Sequence, residues 1–133
     1  MRNLTMMTDL YQLTMMYGYF KAGKHKERAV YDLFFRRQGD ETNYAVCAGL
    51  EQVIDLINNL RFEEEDIKYL RSLKLFDEEF MAYLRDFRFT GEIYAMPEGT
   101  VVFPMEPLVR VSAPISEAQL VETALLNIVN HQT

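Results

Sequence analysis

The period of the apolar residues changes along the chain, and that change restricts the fold more than any other feature. Residues 9–22, DLYQLTMMYGYFKA, repeat at helical spacing. At 100° per residue Leu10, Leu13, Tyr17 and Phe20 share one face, and Tyr11, Met15 and Tyr19 lie roughly opposite. Gln12 and Lys21 are the wet positions. Thr8 is placed to cap this helix and Gly23 to stop it. A helix apolar on two faces requires two partners. Residues 27–37, ERAVYDLFFRR, then alternate as a strand does. Ala29, Tyr31, Leu33 and Phe35 fall on one side, and Val30, Asp32, Phe34 and Arg36 on the other.

A turn at Gly39, Asp40 and Asn43 leads to a short strand over 44–48. Gly49 opens a helix with Leu50, Val53, Ile54, Ile57 and Leu60 in register. Two more helices follow near 63–73 and 77–87. The acid run at Glu63 favours the start of the first, and Asp77 caps the second. Phe76, Phe80, Tyr83, Leu84 and Phe87 form the stripe of that second helix. Strand-like segments follow at 89–96, 101–103 and 108–111, separated by Pro97-Glu98-Gly99 and by Pro104, and stopped by Pro114. Ser116 and Gln119 have the capping-box spacing for a last helix carrying Leu120, Val121, Ala124, Leu125, Ile128 and Val129. The order of helix, strands, helices, strands and helix predicts an α+β fold with a mixed or antiparallel sheet, not a regular βαβ alternation.

Composition removes several functions. Twenty acids against 14 bases give a net charge of -6, which disfavours a dedicated nucleic-acid binder. The single cysteine, Cys47, makes no internal disulfide, lies in an apolar strand and reads as a core thiol. There is no long charge-free apolar run and no signal peptide at the start, so no membrane partner and a cytoplasmic location are expected. Nine Phe and eight Tyr require burial somewhere. No GxGxxG fingerprint, P-loop or GxSxG elbow occurs. His25 and His131 are far apart and lack nearby ligands at metal spacing, so no metal site is expected.

Two segments do not reduce to core and turn: Thr8-Asp9-Leu10-Tyr11-Gln12-Leu13-Thr14-Met15 and Phe34-Phe35-Arg36-Arg37. With Gly49-Leu50-Glu51 and the stretch from Pro97-Glu98-Gly99-Thr100 to Pro107-Leu108-Val109-Arg110-Val111, they resemble in order and spacing the amino-terminal part of the nicotinate phosphoribosyltransferases, from about Leu4 to the end. The resemblance implies transfer of phosphoribosyl from phosphoribosyl pyrophosphate to nicotinate. The products are nicotinate mononucleotide and pyrophosphate, on the route to NAD. It implies Mg²⁺ and coupled ATP hydrolysis in the full-length enzyme. It also implies a type II phosphoribosyltransferase fold, with an amino-terminal α/β domain beside an irregular barrel, and a homodimer with sites at the subunit interface.

Residue by residue, the resemblance assigns Tyr11 to stacking on the pyridine ring from the neighbouring subunit. A flat π face suits a flat heteroaromatic acid. It assigns Asp9 to orienting polar groups there. Arg36 is assigned to phosphate, which a guanidinium can grip bidentately. Arg37 ranks lower because it points to the other face. Plainer readings stand beside these. Tyr11 can be a dimer-core residue, Asp9 a first-turn acid favoured by the helix dipole, and Arg36 the partner of Asp32 on the same strand face. Glu98 and Arg110 are read as supporting the fold.

A (β/α)₈ barrel alone takes about 250 residues. The expectation is therefore a fragment, with the amino-terminal domain over 1–114 and a first helix toward the absent barrel over 115–133. The histidine that the family phosphorylates is expected beyond residue 133, no catalytic residue is expected within the fragment, and the fragment alone is expected to be inactive. Two other readings remain at this stage. One is a fragment of a nicotinamide or quinolinate phosphoribosyltransferase, and the other is a non-catalytic oligomerisation module.

Overall fold

The computed structural model describes residues 3–36, 39 and 43–133. The elements in chain order are α1 (Leu10–Lys21), β1 (Arg28–Leu33), β2 (Ala45–Val46), α2 (Leu50–Asn58), α3 (Glu64–Ser72), α4 (Glu78–Arg85), β3 (Glu92–Ala95), β4 (Val101–Val102), β5 (Val109–Pro114) and α5 (Ile115–Gln132). Three strands form an antiparallel sheet in the order β1-β5-β3, with Leu33 opposite Val109 and Ile93 opposite Val111. β2 and β4 pair separately, also antiparallel. The α+β expectation holds, and its sheets are antiparallel. The described residues form no barrel.

Alternation decides which side of the sheet is covered. Val109, Val111 and Ala113 of β5 are buried, with Leu33 of β1, while Arg28, Val30, Asp32 and Arg110 stay exposed. α5 packs against β1 and β5, and also against α1 and α2. Its first two turns, Ser116 to Val121, are buried on every side. Gly91 precedes β3 at a close approach: a Cβ there would lie 2.3 Å from the Ala113 Cβ and 2.8 Å from the Ser112 carbonyl oxygen.

Part of the aromatic surplus is placed between α1 and α4. Phe80 is fully buried, and its ring meets Tyr17, Phe20, Phe76 and Tyr83 at centroid distances of 5.2 to 5.8 Å. Asp77 caps α4 by accepting the Phe80 N–H at 2.9 Å. The same carboxylate accepts from Lys21 Nζ at 2.7 Å and from the Tyr17 hydroxyl at 3.2 Å, which ties α4 back to α1. α2 has no cap of its own. Gly49 sits before it at φ +106°, and the Glu98 carboxylate accepts the Gly49 and Leu50 N–H groups at 2.8 and 3.0 Å. Cys47 is a buried free thiol, pushed up by burial and then by Glu98. No helix among the described residues is long and apolar enough to cross a membrane.

Several local readings change. Gln12 is fully buried, not wet, because α5 crosses α1 there and meets it with polar side chains. Leu10 is half exposed, since the buried face is centred on Leu13 and Met16. Ile54 is also half exposed. Asp9, in extended conformation, is the N-cap residue of α1 in place of Thr8, while Gly23 follows the helix at φ +71° as expected. β1 ends at Leu33 because its register with β5 ends at Val109. The chain beyond it is held instead by the loop 103–108, with Met105 N–H donating to the Phe35 carbonyl at 3.0 Å. The strand expected over 44–48 shrinks to Ala45–Val46, and the one over 89–96 to Glu92–Ala95. α5 starts two residues earlier than a Ser116 cap requires. Ser116 lies inside the first turn, and the Gln119 side chain is used elsewhere. Arg37 and Asp40 lie outside the described residues.

Candidate functional site

Tyr11 is the second residue of α1, and its side chain is half exposed, as is Met15 one turn on. Both line a groove of about 550 Å³ whose other walls are Tyr31 of β1 and Gln119, Glu122 and Leu126 of α5. Asp32, Leu33 and Leu126 also line a second groove, of about 690 Å³. Arg36 opens into that one, with Phe34, Asn130 and His131. Tyr11 and Arg36 thus occupy adjoining grooves with a shared wall. Asp9 stands at the start of α1, and its Oδ2 accepts the Thr123 hydroxyl of α5 at 3.1 Å. That bond fixes the helix start against α5 and leaves the α1 cap position without a side-chain cap.

A polar network lies beneath Tyr11. The Gln12 Nε2 donates to the Tyr11 hydroxyl oxygen at 3.0 Å and to Glu122 Oε2 at 3.0 Å. Gln12 Oε1 accepts from Gln119 Nε2, and Gln119 Oε1 accepts from the Tyr31 hydroxyl at 2.9 Å. Each amide thereby uses both its donor and its acceptor ends, which a buried amide requires. The Tyr11 phenol is raised above its ordinary value, first by the Glu122 charge, then by burial and by Asp9. Tyr31 is raised by burial, then by Tyr19 and Glu122. Both phenols are therefore neutral hydroxyls at neutral pH.

Asp32 does not pair with Arg36. It is directly opposite Arg110 in the β1–β5 register, and Arg110 grips it with Nε to Oδ1 at 2.7 Å and Nη2 to Oδ2 at 3.0 Å. This holds the Asp32 carboxyl below its ordinary value. Arg36 has no ion pair among the described residues, so its guanidinium is available to an anion. The two grooves offer a flat π face and a free cation side by side. The acids around them do not make a metal centre: Asp32 is engaged by Arg110, and among the described residues no group of three or more His, Cys, Asp or Glu comes together.

The family profile described as the nicotinate phosphoribosyltransferase (NAPRTase) N-terminal domain matches residues 6–130. The chain belongs to this family. Nicotinate phosphoribosyltransferase of Bacillus subtilis (strain 168) is 50% identical over 131 residues, which are 98% of this chain and 27% of that protein. Nicotinate phosphoribosyltransferase 2 of Arabidopsis thaliana is 46% identical over 127 residues, 94% of this chain and 23% of that protein. The crystal structure of human nicotinic acid phosphoribosyltransferase superposes with a TM-score of 0.85 at 37% identity, over 93% of this chain and 25% of that one. A nicotinate-nucleotide pyrophosphorylase from Pyrococcus furiosus, at 20% identity and a TM-score of 0.63, shares the fold. The chain spans about a quarter of the length of the nicotinate phosphoribosyltransferases it matches.

The sequence reading of this nicotinate phosphoribosyltransferase domain missed Gln12, Gln119, Glu122 and Tyr31. One signal was present: Gln119 and Glu122 are three apart on a helix otherwise apolar on that side, and Gln12 lies among apolar neighbours. What joins them is the packing of α1 on α5, which is not local.

Proposed function

We propose that the chain is the amino-terminal portion of an enzyme that forms nicotinate mononucleotide and pyrophosphate from nicotinate and phosphoribosyl pyrophosphate, in NAD synthesis. In that reaction the pyridine nitrogen forms a bond to the anomeric carbon of the ribose, and the bond from that carbon to pyrophosphate breaks. Tyr11 stacks on the pyridine ring, Arg36 binds phosphate oxygens, and Asp9 keeps the start of α1, and with it Tyr11, seated on α5. The reading rests on one observation: identity of 50% with a nicotinate phosphoribosyltransferase runs through nearly the whole chain. The placement of Tyr11 and Arg36 in adjoining grooves supports it.

In this reading the chain supplies one edge of the site. A second copy and the remaining three-quarters of the enzyme complete it, in a cytoplasmic homodimer. In the same reading the full-length enzyme uses Mg²⁺ and couples the transfer to ATP hydrolysis. Charge stabilisation of a leaving pyrophosphate needs such clamps in place, and the 133 residues alone are therefore inactive. The test is Tyr11→Ala in the full-length enzyme. Nicotinate affinity should fall with the fold intact, and unchanged affinity and rate would remove the stacking role. Product analysis with nicotinate, nicotinamide and quinolinate fixes the base.

A further inference from the structure

We propose that a directional hydrogen-bond relay anchored on Glu122 fixes the Tyr11 hydroxyl as an outward-facing donor, so that Tyr11 meets an anionic oxygen of its ligand as well as a ring. The proposal rests on the reading of Tyr11 as ligand-facing. Its direction follows from one end. An ionised carboxylate only accepts, so Gln12 must turn its NH₂ toward Glu122, 3.0 Å away. The second hydrogen of that NH₂ goes to the Tyr11 oxygen, also at 3.0 Å. Gln12 Oε1 is then left facing α5 and takes a hydrogen from Gln119, whose own oxygen takes the Tyr31 proton. No amide in the chain can flip without setting two donors or two acceptors against each other.

The consequence falls on Tyr11. Its oxygen already receives a hydrogen from inside, so its own proton cannot lie along that line. Among the described residues nothing accepts it, and the ring is half exposed to the groove. The proton is presented outward. A carboxylate or a phosphate oxygen can take it, whereas a donor such as an ammonium meets it with the wrong polarity. Gln12 and Glu122 are positioning residues in this scheme. Both are supported by Gln12 being fully buried, where an amide without its partners would not be stable.

The relay is tested first in the 133-residue chain, by titrating tyrosines labelled with ¹³C at Cζ and assigning Tyr11 from Tyr11→Phe. The charged groups facing the Tyr11 hydroxyl are Glu122 on α5 and Asp9 on α1. Glu122→Gln removes a negative charge, so Tyr11 should titrate lower. Gln12→Met removes a donor that favours the phenolate, so Tyr11 should titrate higher. A network that only held α1 to α5 would move Tyr11 the same way in both variants, toward a free tyrosine, and that result overturns the relay. An unmoved Tyr11 in Glu122→Gln also overturns it, even if Gln12→Met does not fold. In the full-length enzyme Tyr11→Phe should weaken binding roughly tenfold, the size of a hydrogen bond to a charged group. Separate titrations with nicotinate and phosphoribosyl pyrophosphate tell which oxygen receives the proton. If Tyr11→Phe changes neither affinity while Tyr11→Ala weakens nicotinate, the donor role falls and stacking stands. If neither variant changes either affinity, the reading of Tyr11 as ligand-facing falls with it.

Discussion

Replacing Phe80 with alanine removes the ring on which α1 and α4 meet. The side chain is fully buried, and four aromatic neighbours lie within 6 Å of its centroid. Phe-to-Ala changes in cores cost about 3–5 kcal/mol, because the lost transfer energy adds to a cavity that closes only in part. Ring neighbours on several sides are themselves rigid and limit that closure, which places the loss near 4 kcal/mol. At about 2.1 cal/mol/K of unfolding entropy per residue, a loss of 4 kcal/mol lowers the Tm of a chain this long by roughly 14 °C. Differential scanning calorimetry reads this directly, with Tyr69→Ala as the exposed control, expected within about 0.5 kcal/mol of the parent. A drop under about 4 °C, equal to roughly 1 kcal/mol, refutes the picture of a packed cluster holding α1. Because Tyr17 and Phe20 of α1 lean on this ring, the variant should also speed amide exchange in α1 more than in α2.

Two further perturbations probe other joints. Gly91→Val forces a side chain into the Ala113 Cβ and the Ser112 carbonyl, so β3 must shift from β5. The expected loss is about 1–3 kcal/mol by urea unfolding, and a parental midpoint would refute the close approach. Acid titration probes Asp77, whose carboxyl is held low by the Lys21 hydrogen bond first, then by the Phe80 N–H. A depressed folded-state value stabilises above the unfolded-state value and is lost as pH falls through the folded one. Tm should therefore fall on acidification below the ordinary carboxyl range, and less steeply in Asp77→Asn. Equal slopes in the two proteins would refute the linkage.

Local chemistry was legible in the sequence wherever a single element decided the outcome. The α4 stripe, the Asp77 cap, Gly23 and the in-out alternation of β1 all follow from spacing within a dozen residues. What escaped was decided by partners distant in sequence. Asp32 offered two arginines, Arg36 nearby and Arg110 distant by 78 residues. The antiparallel register chose the second. Ser116 and Gln119 had the right spacing for a cap, yet Pro114 already turned the chain into α5 and Gln119 was needed against Gln12. Tyr11, Asp9 and Arg36 were visible as candidates, but the groove beside Tyr11 and the one beside Arg36 are both walled by α5, and no pattern local to residues 8–15 or 34–37 could indicate that.

The packing of α1 on α5 also sets an order of events during synthesis. Gln12 and Glu122 are 110 residues apart in the chain. At 5–20 residues per second, α1 emerges from the ribosome roughly 5–20 s before the helix that covers Gln12. During that interval a helix with Leu13, Met16 and a polar amide on one side has no seat. α1 must wait as an exposed amphipathic segment, or pair for a time with α4, whose aromatic face arrives sooner. The groove beside Tyr11 therefore closes only when the last described helix is made, and until then the α5-facing side of α1 stays open to non-native contacts.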